Sequence, residues 1–253
     1  MAARALHYFR SQTYDRKLLL IFNAGKNFAE LGPLRENESA LHWGDDGAVI
    51  GTLRNRAIRF TLSAEAPFGE KIPEVFVHWD DDDYSDPRRI EEQVDMLTAP
   101  ELIGPEDTEA KVPEIVAYHS LPFVDERPGG EVWRYNGYPG YAIGTSLMYW
   151  CSTWEKRHFP EIHIGEDTEF CSDRRIVSVD GYGTTIDPPM MIARIHAGST
   201  SMRNMERFRS GADHVFTLIE GSAAAQAREL ISQEVSSRKT SPVERSSVRR
   251  TEF

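Results

Sequence analysis

The chain is poor in cysteine, in long apolar runs and in positive charge, and each shortage closes off a class of protein. Its two cysteines, Cys151 and Cys171, make neither a disulfide framework nor a paired-thiolate metal spacing. No apolar stretch nears the roughly 20 residues needed to cross a bilayer. Residues 1–10 lack the apolar segment and cleavage pattern of a secretory signal. A cytoplasmic protein without a transmembrane segment is therefore expected. The formal net charge of −11 repels phosphate backbones, so no nucleic-acid partner is expected. The basic, serine-rich stretch 236–253 reads as a solvated tail.

What is present suits one folded domain. Hydrophobic residues make up 40% of the chain and aromatic ones 10%, enough for a packed core. A helical spacing covers Ala3–Arg10, and the apolar run Lys17–Phe22 predicts a strand buried on both faces. A weak strand is expected at Ala40–Trp43, then a helix over Ile50–Leu62. Glu74–Trp79 predicts a strand, and Pro87 opens a helix to Leu97. Further strands are expected at Ile115–Tyr118, Glu131–Tyr135, Gly144–Trp150, Arg175–Val179 and Met190–Ile195. Helices are expected at Ser152–His158, Thr168–Asp173 and Asp213–Ser232. This alternation points to an α/β fold, with helices flanking a mixed, mainly parallel sheet.

The chemistry concentrates at Asp80-Asp81-Asp82-Asp83, directly after a strand, where open α/β sheets bind ligands. Four like charges in sequence repel, and a hard divalent cation relieves that repulsion. Mg²⁺ or Mn²⁺ suits one or two carboxylates completed by phosphate oxygens and water. An EF-hand is excluded, because Ser85 stands where that loop needs glycine. A solvated acidic turn is the plain alternative.

The segment Val77–Ile90 with Gln93 resembles the acidic strand end of glycosyltransferase family 2, a GT-A fold. Three further stretches resemble the family in order: Ser11-Gln12-Thr13-Tyr14, Gly51-Thr52-Leu53-Arg54-Asn55-Arg56-Ala57, and Gly144–Tyr149 followed by Gly165-Glu166-Asp167-Thr168. Arg194-Ile195-His196-Ala197-Gly198 is similar to a late segment of some members. The resemblance implies a GT-A-like domain over residues 1–221, lacking the family's first strand, with a helix end and polar tail over 222–253. It implies a nucleotide-sugar donor held by Arg54, Asn55, Asp80 and Asp81, and Mn²⁺ or Mg²⁺ on Asp82, Asp80 and His196. Asp167 would deprotonate an acceptor hydroxyl in an inverting transfer, with Glu166 tuning it. The acceptor could be a glycan, a lipid-linked glycan or a small molecule. Asn23-Ala24-Gly25 departs from the family, which carries Asp-Asp-Gly there. A non-catalytic module of the same fold, binding carbohydrate or a protein, is the rival reading. A phosphoryl-transfer enzyme is disfavoured, since no phosphate loop and no Lys/Arg cluster flanks the aspartates in sequence.

Overall fold

The computed structural model describes residues 2–24, 31–44, 47–69, 71–100, 111–182, 188–196 and 216–237. In chain order the elements are α1 (Ala2–Ser11), β1 (Leu19–Asn23), β2 (Glu38–His42), α2 (Ile50–Thr61), β3 (Val75–Val77), β4 (Tyr84–Ser85), α3 (Arg89–Thr98), β5 (Ile115–Asp125) and β6 (Val132–Asn136). A 3-10 turn (Gly144–Ser146) follows, then β7 (Met148–Trp150), α4 (Cys151–Lys156), α5 (Glu166–Cys171), β8 (Ile176–Asp180), β9 (Met191–Ile195), β10 (Phe216–Ile219) and α6 (Gly221–Ser237).

The architecture is mixed α/β, and its sheet departs from the expected parallel majority. An eight-stranded sheet is built around β5, which pairs antiparallel with β6 and β7 and parallel with β8 and β9. The β10–β6, β3–β7 and β4–β9 pairs are antiparallel as well. A short connection accounts for one of these pairs, and the others join strands far apart in sequence. β5 returns as β6 through a turn in which Gly130 N donates to Arg127 O at 2.8 Å, and a tight return can only make an antiparallel neighbour. β1 and β2 form a separate two-stranded parallel sheet. Of the β1 residues only Leu19 is buried, so the expectation of a strand covered on both faces fails. Among the described residues β1 pairs with β2 alone, and its Leu19 and Ile21 pack with Leu6 and Phe9 of α1 and with Trp79.

A second difference lies near the C-terminal end of the described chain. The helical pattern expected from residue 213 gives strand β10 first, paired with β6, and α6 begins only at Gly221. Ala224, Ala227 and Ile231 of α6 pack with Tyr8, Tyr84, Val124, Val132 and Ile192. The helix thus belongs to the domain core rather than to a tail. The tail beyond 237 lies outside the described residues.

The Ser11–Tyr14 segment has a clear structural use. Gln12 is buried, its amide donates to Asp86 O at 2.7 Å, and its carbonyl accepts from Ile90 N at 3.0 Å. Thr13 N donates to Pro87 O at 2.8 Å. One glutamine therefore meets one of the orphan N–H groups at the start of α3 and ties the end of α1 to Asp86, just past the acidic run.

α1 is fastened to β2 by a bidentate ion pair. Arg10 Nε and Nη2 donate to Glu38 Oε1 and Oε2 at 2.8 and 2.6 Å, and Arg35 N donates to Oε2 at 2.9 Å. Burial alone would raise the Glu38 carboxyl, but the Arg10 and Arg35 bonds outweigh it and hold its pKa below the ordinary value of 4.5. The unfolded state then binds the proton first as pH falls. Glu38 therefore contributes stability in full above about pH 4.5, and loses it as pH falls through the lower folded value. Glu38→Gln should cost about 1–3 kcal/mol at neutral pH and flatten the acid limb below the unfolded value. Urea unfolding across about pH 3–7 measures both, and an unchanged acid limb would refute the linkage.

Candidate functional site

β3 ends at Val77, and the chain leaves the sheet through His78 and Trp79 into the four aspartates. Asp80 and Asp81 are exposed, Asp82 is half-buried and Asp83 is buried. Asp82 Oδ2 lies 2.9 Å from His196 Nε2, just past the end of β9. Two of the three residues expected to share a cation are thus brought together across 114 positions, while Asp80 is exposed. Asp83 Oδ2 accepts from Thr145 Oγ1 at 2.7 Å, and its Oδ1 accepts from Arg194 N at 3.1 Å. Burial, then the charges of Asp80 and Asp82, pushes the Asp83 carboxyl up from its ordinary range.

The Glu166-Asp167 pair meets the same 3-10 turn. Asp167 packs against Gly144, where an added Cβ would fall 1.6 Å from Asp167 Oδ2. Its other oxygen accepts from Thr168 N at 2.8 Å. Asp83 and Asp167 therefore rest on consecutive residues, Thr145 and Gly144. Glu166 and Asp167 lie in the first turn of α5, where backbone N–H groups favour negative charge. Glu166 is buried and faces Arg54, whose Nη1 is 3.0 Å from Oε1. Burial pushes the Glu166 carboxyl up, Arg54 pulls it back, and Asp167 adds to the rise.

Asn55 takes a different role from the donor contact expected of it. It is 2% exposed, its amide N–H donates to Phe159 O, and its oxygen accepts from Trp154 Nε1 and Phe159 N at 2.9 and 3.1 Å. The side chain fastens α2 to the 154–159 segment, because a buried amide must spend its polar atoms on protein partners. Arg54, one position earlier, keeps its guanidinium beside Glu166 and over the Phe159 ring.

Two residues that sequence reasoning missed hold the site. Arg89 is 1% exposed and donates to Ser85 Oγ (2.9 Å), His78 O (2.8 Å), Thr145 O (3.2 Å) and Gln93 Oε1 (3.2 Å). It also lies 4.9 Å above the Trp79 ring. Its burial lowers its pKa to about 10, so it stays charged at neutral pH. His78 Nδ1 lies 2.6 Å from Gly144 O, and a carbonyl only accepts, so Nδ1 carries the proton. Burial, and then the Arg54 charge, keep His78 neutral. The signal for Arg89 was in the sequence as an arginine on the first turn of the helix after the aspartates.

Among the described residues, no three or more His, Cys, Asp and Glu side chains are grouped to hold a metal. The Asp82–His196 pair supplies two donors of suitable chemistry, and substrate oxygens and water would have to complete the shell.

Two glycines separate scaffold from site. A Cβ on Gly51 would fall 1.8 Å from Pro160 O, a backbone atom, whereas one on Gly144 meets the Asp167 side chain first. Gly51→Ala should cost about 1–3 kcal/mol. Gly144→Ala should cost less, because a side chain yields more readily than backbone. Urea unfolding of both variants tests the order, and equal or reversed losses would contradict it.

Compared with protein-family models and with curated proteins, the chain matches none.

Proposed function

We propose that this protein is a metal-dependent glycosyltransferase of GT-A type, moving a sugar from a nucleotide-sugar donor to an acceptor hydroxyl with inversion. The observation that carries this reading is the convergence on one turn. Thr145 holds the acidic run and Gly144 holds Asp167, which supports a reading with a cation on the former and a general base at the latter.

In this reading Asp167 accepts the acceptor hydroxyl's proton as that oxygen attacks the anomeric carbon. The bond from that carbon to the diphosphate oxygen breaks, and the nucleoside diphosphate leaves with the electron pair. Arg54 orients Glu166 and keeps its charge from crowding Asp167. Asp82 and His196 would hold Mn²⁺ or Mg²⁺ with diphosphate oxygens, and the bound ion would supply neutralisation of the leaving group's charge. Asp80 and Asp81, exposed beside them, would meet donor or water. The rival reading, a non-catalytic carbohydrate-binding module, is favoured by one feature: Asn55 is committed to the scaffold.

Millimolar Mn²⁺ with a nucleoside diphosphate at 100 times Kd should raise Tm by about 5–10 °C. Asp82→Asn or His196→Ala should remove most of that gain, and a shift that survives both places the cation elsewhere. Asp167→Asn should lower acceptor-dependent release of nucleoside diphosphate by about 10²-fold or more while leaving the Tm shift intact. Loss of both would make Asp167 a structural residue.

A further inference from the structure

The chain enters Gly144 through a turn that carries two aromatic rings, Tyr138 exposed and Tyr141 half-buried. Tyr138-Pro139-Gly140-Tyr141 closes with Tyr141 N donating to Tyr138 O at 2.9 Å, and Gly140 has φ 87°. Proline followed by a left-handed glycine makes a type II turn, which sets its first and fourth side chains beside each other. The Tyr138 and Tyr141 ring centroids are 5.7 Å apart, tilted by 49°. Behind them Tyr135 lies 5.6 Å from Tyr141 and 5.0 Å from Phe216. Tyr138 is 68% exposed.

This platform is held rigidly. Gly140 N donates to Ser178 Oγ at 2.9 Å, while Gly137 N and Ile143 N donate to His119 O and Tyr118 O, both at 3.0 Å. A pinned turn exposes these rings without the ordering cost that a flexible loop would incur on binding. Tyr141 is three residues before Gly144, at most about 11 Å along the chain, and Gly144 touches Asp167.

We propose that Tyr138 and Tyr141 form a carbohydrate-binding subsite that seats the acceptor glycan. The C–H face of a pyranose is weakly positive and apolar, and it matches the negative face of a tyrosine ring. Its outward hydroxyls stay in water or meet the phenol oxygens. A helix of a partner protein would need an aliphatic groove, and the turn offers two tilted rings flanked by proline and glycine instead. Binding at the platform stands independently of catalysis; its role as the acceptor seat rests on the transferase reading.

The test is saturation-transfer NMR and titration of the full chain against cello-, malto-, xylo- and chito-oligosaccharides. At least one series should bind. Tyr138→Ala should weaken it by about three- to tenfold, while Tyr138→Phe, which keeps the ring, should stay within about twofold. Absence of binding across the panel, or equal binding by Tyr138→Ala, would overturn the subsite. So would concentration-dependent dimers that Tyr138→Ala abolishes without any oligosaccharide binding, which would assign the rings to contact between copies. Ring-dependent binding without donor turnover would keep the subsite and sink the transferase. Turnover whose acceptor KM ignores Tyr138→Ala would do the reverse.

Discussion

The buried guanidinium of Arg89 organises the acidic face of this protein. The Arg89 guanidinium reaches the strand end at His78, the short strand at Ser85 and the turn at Thr145. Each of those groups borders the aspartates. A guanidinium fits this role because its planar fork offers several donors in fixed directions, which an ammonium does not. Its positive charge also makes the clustered carboxylates tolerable, since Asp80 and Asp83 both interact with it. Replacing it with an apolar residue would leave three backbone and hydroxyl acceptors unpaired and the aspartates unopposed.

The same economy extends outward. Thr145 joins Asp83 to the 3-10 turn, Ser146 joins that turn to β5 through Tyr118 N, and Gln93 donates to Ser146 O. Three consecutive residues, Gly144 to Ser146, thus contact α5, the acidic run and the central strand. Rigid elements on every side fix the carboxylates more closely than a free loop could.

Much of the element order was legible, because it rests on local apolar spacing. Helices α1 and α2 stand within one or two residues of their expected bounds, and the acidic run falls where a strand ends. The meeting of Asp82 with His196 was expected only through family resemblance, because no local pattern links positions so far apart. Strand direction was not legible. The antiparallel β3–β7 and β10–β6 pairs are set by tertiary neighbours, and a short apolar run reads alike in either direction. Asn55 misled because a polar residue in a motif-like string suggested a ligand, while its burial against Phe159 depends on packing that sequence does not display. Arg89 was hidden for the converse reason, since arginine is ordinarily a surface residue.

Tyr8 of the first helix and Ala224, Ala227 and Ile231 of the last described helix share one cluster with Tyr84, beside the acidic run. The core there closes only when segments from both ends of the described chain have met. Loop-closure entropy must be overcome before that contact gives any return, and a sheet of non-local pairs adds to the delay. Folding of this domain is therefore governed by its topology more than by the speed of its helices. Tyr84, next to the aspartates, takes its final packing only once both ends of the described chain have met.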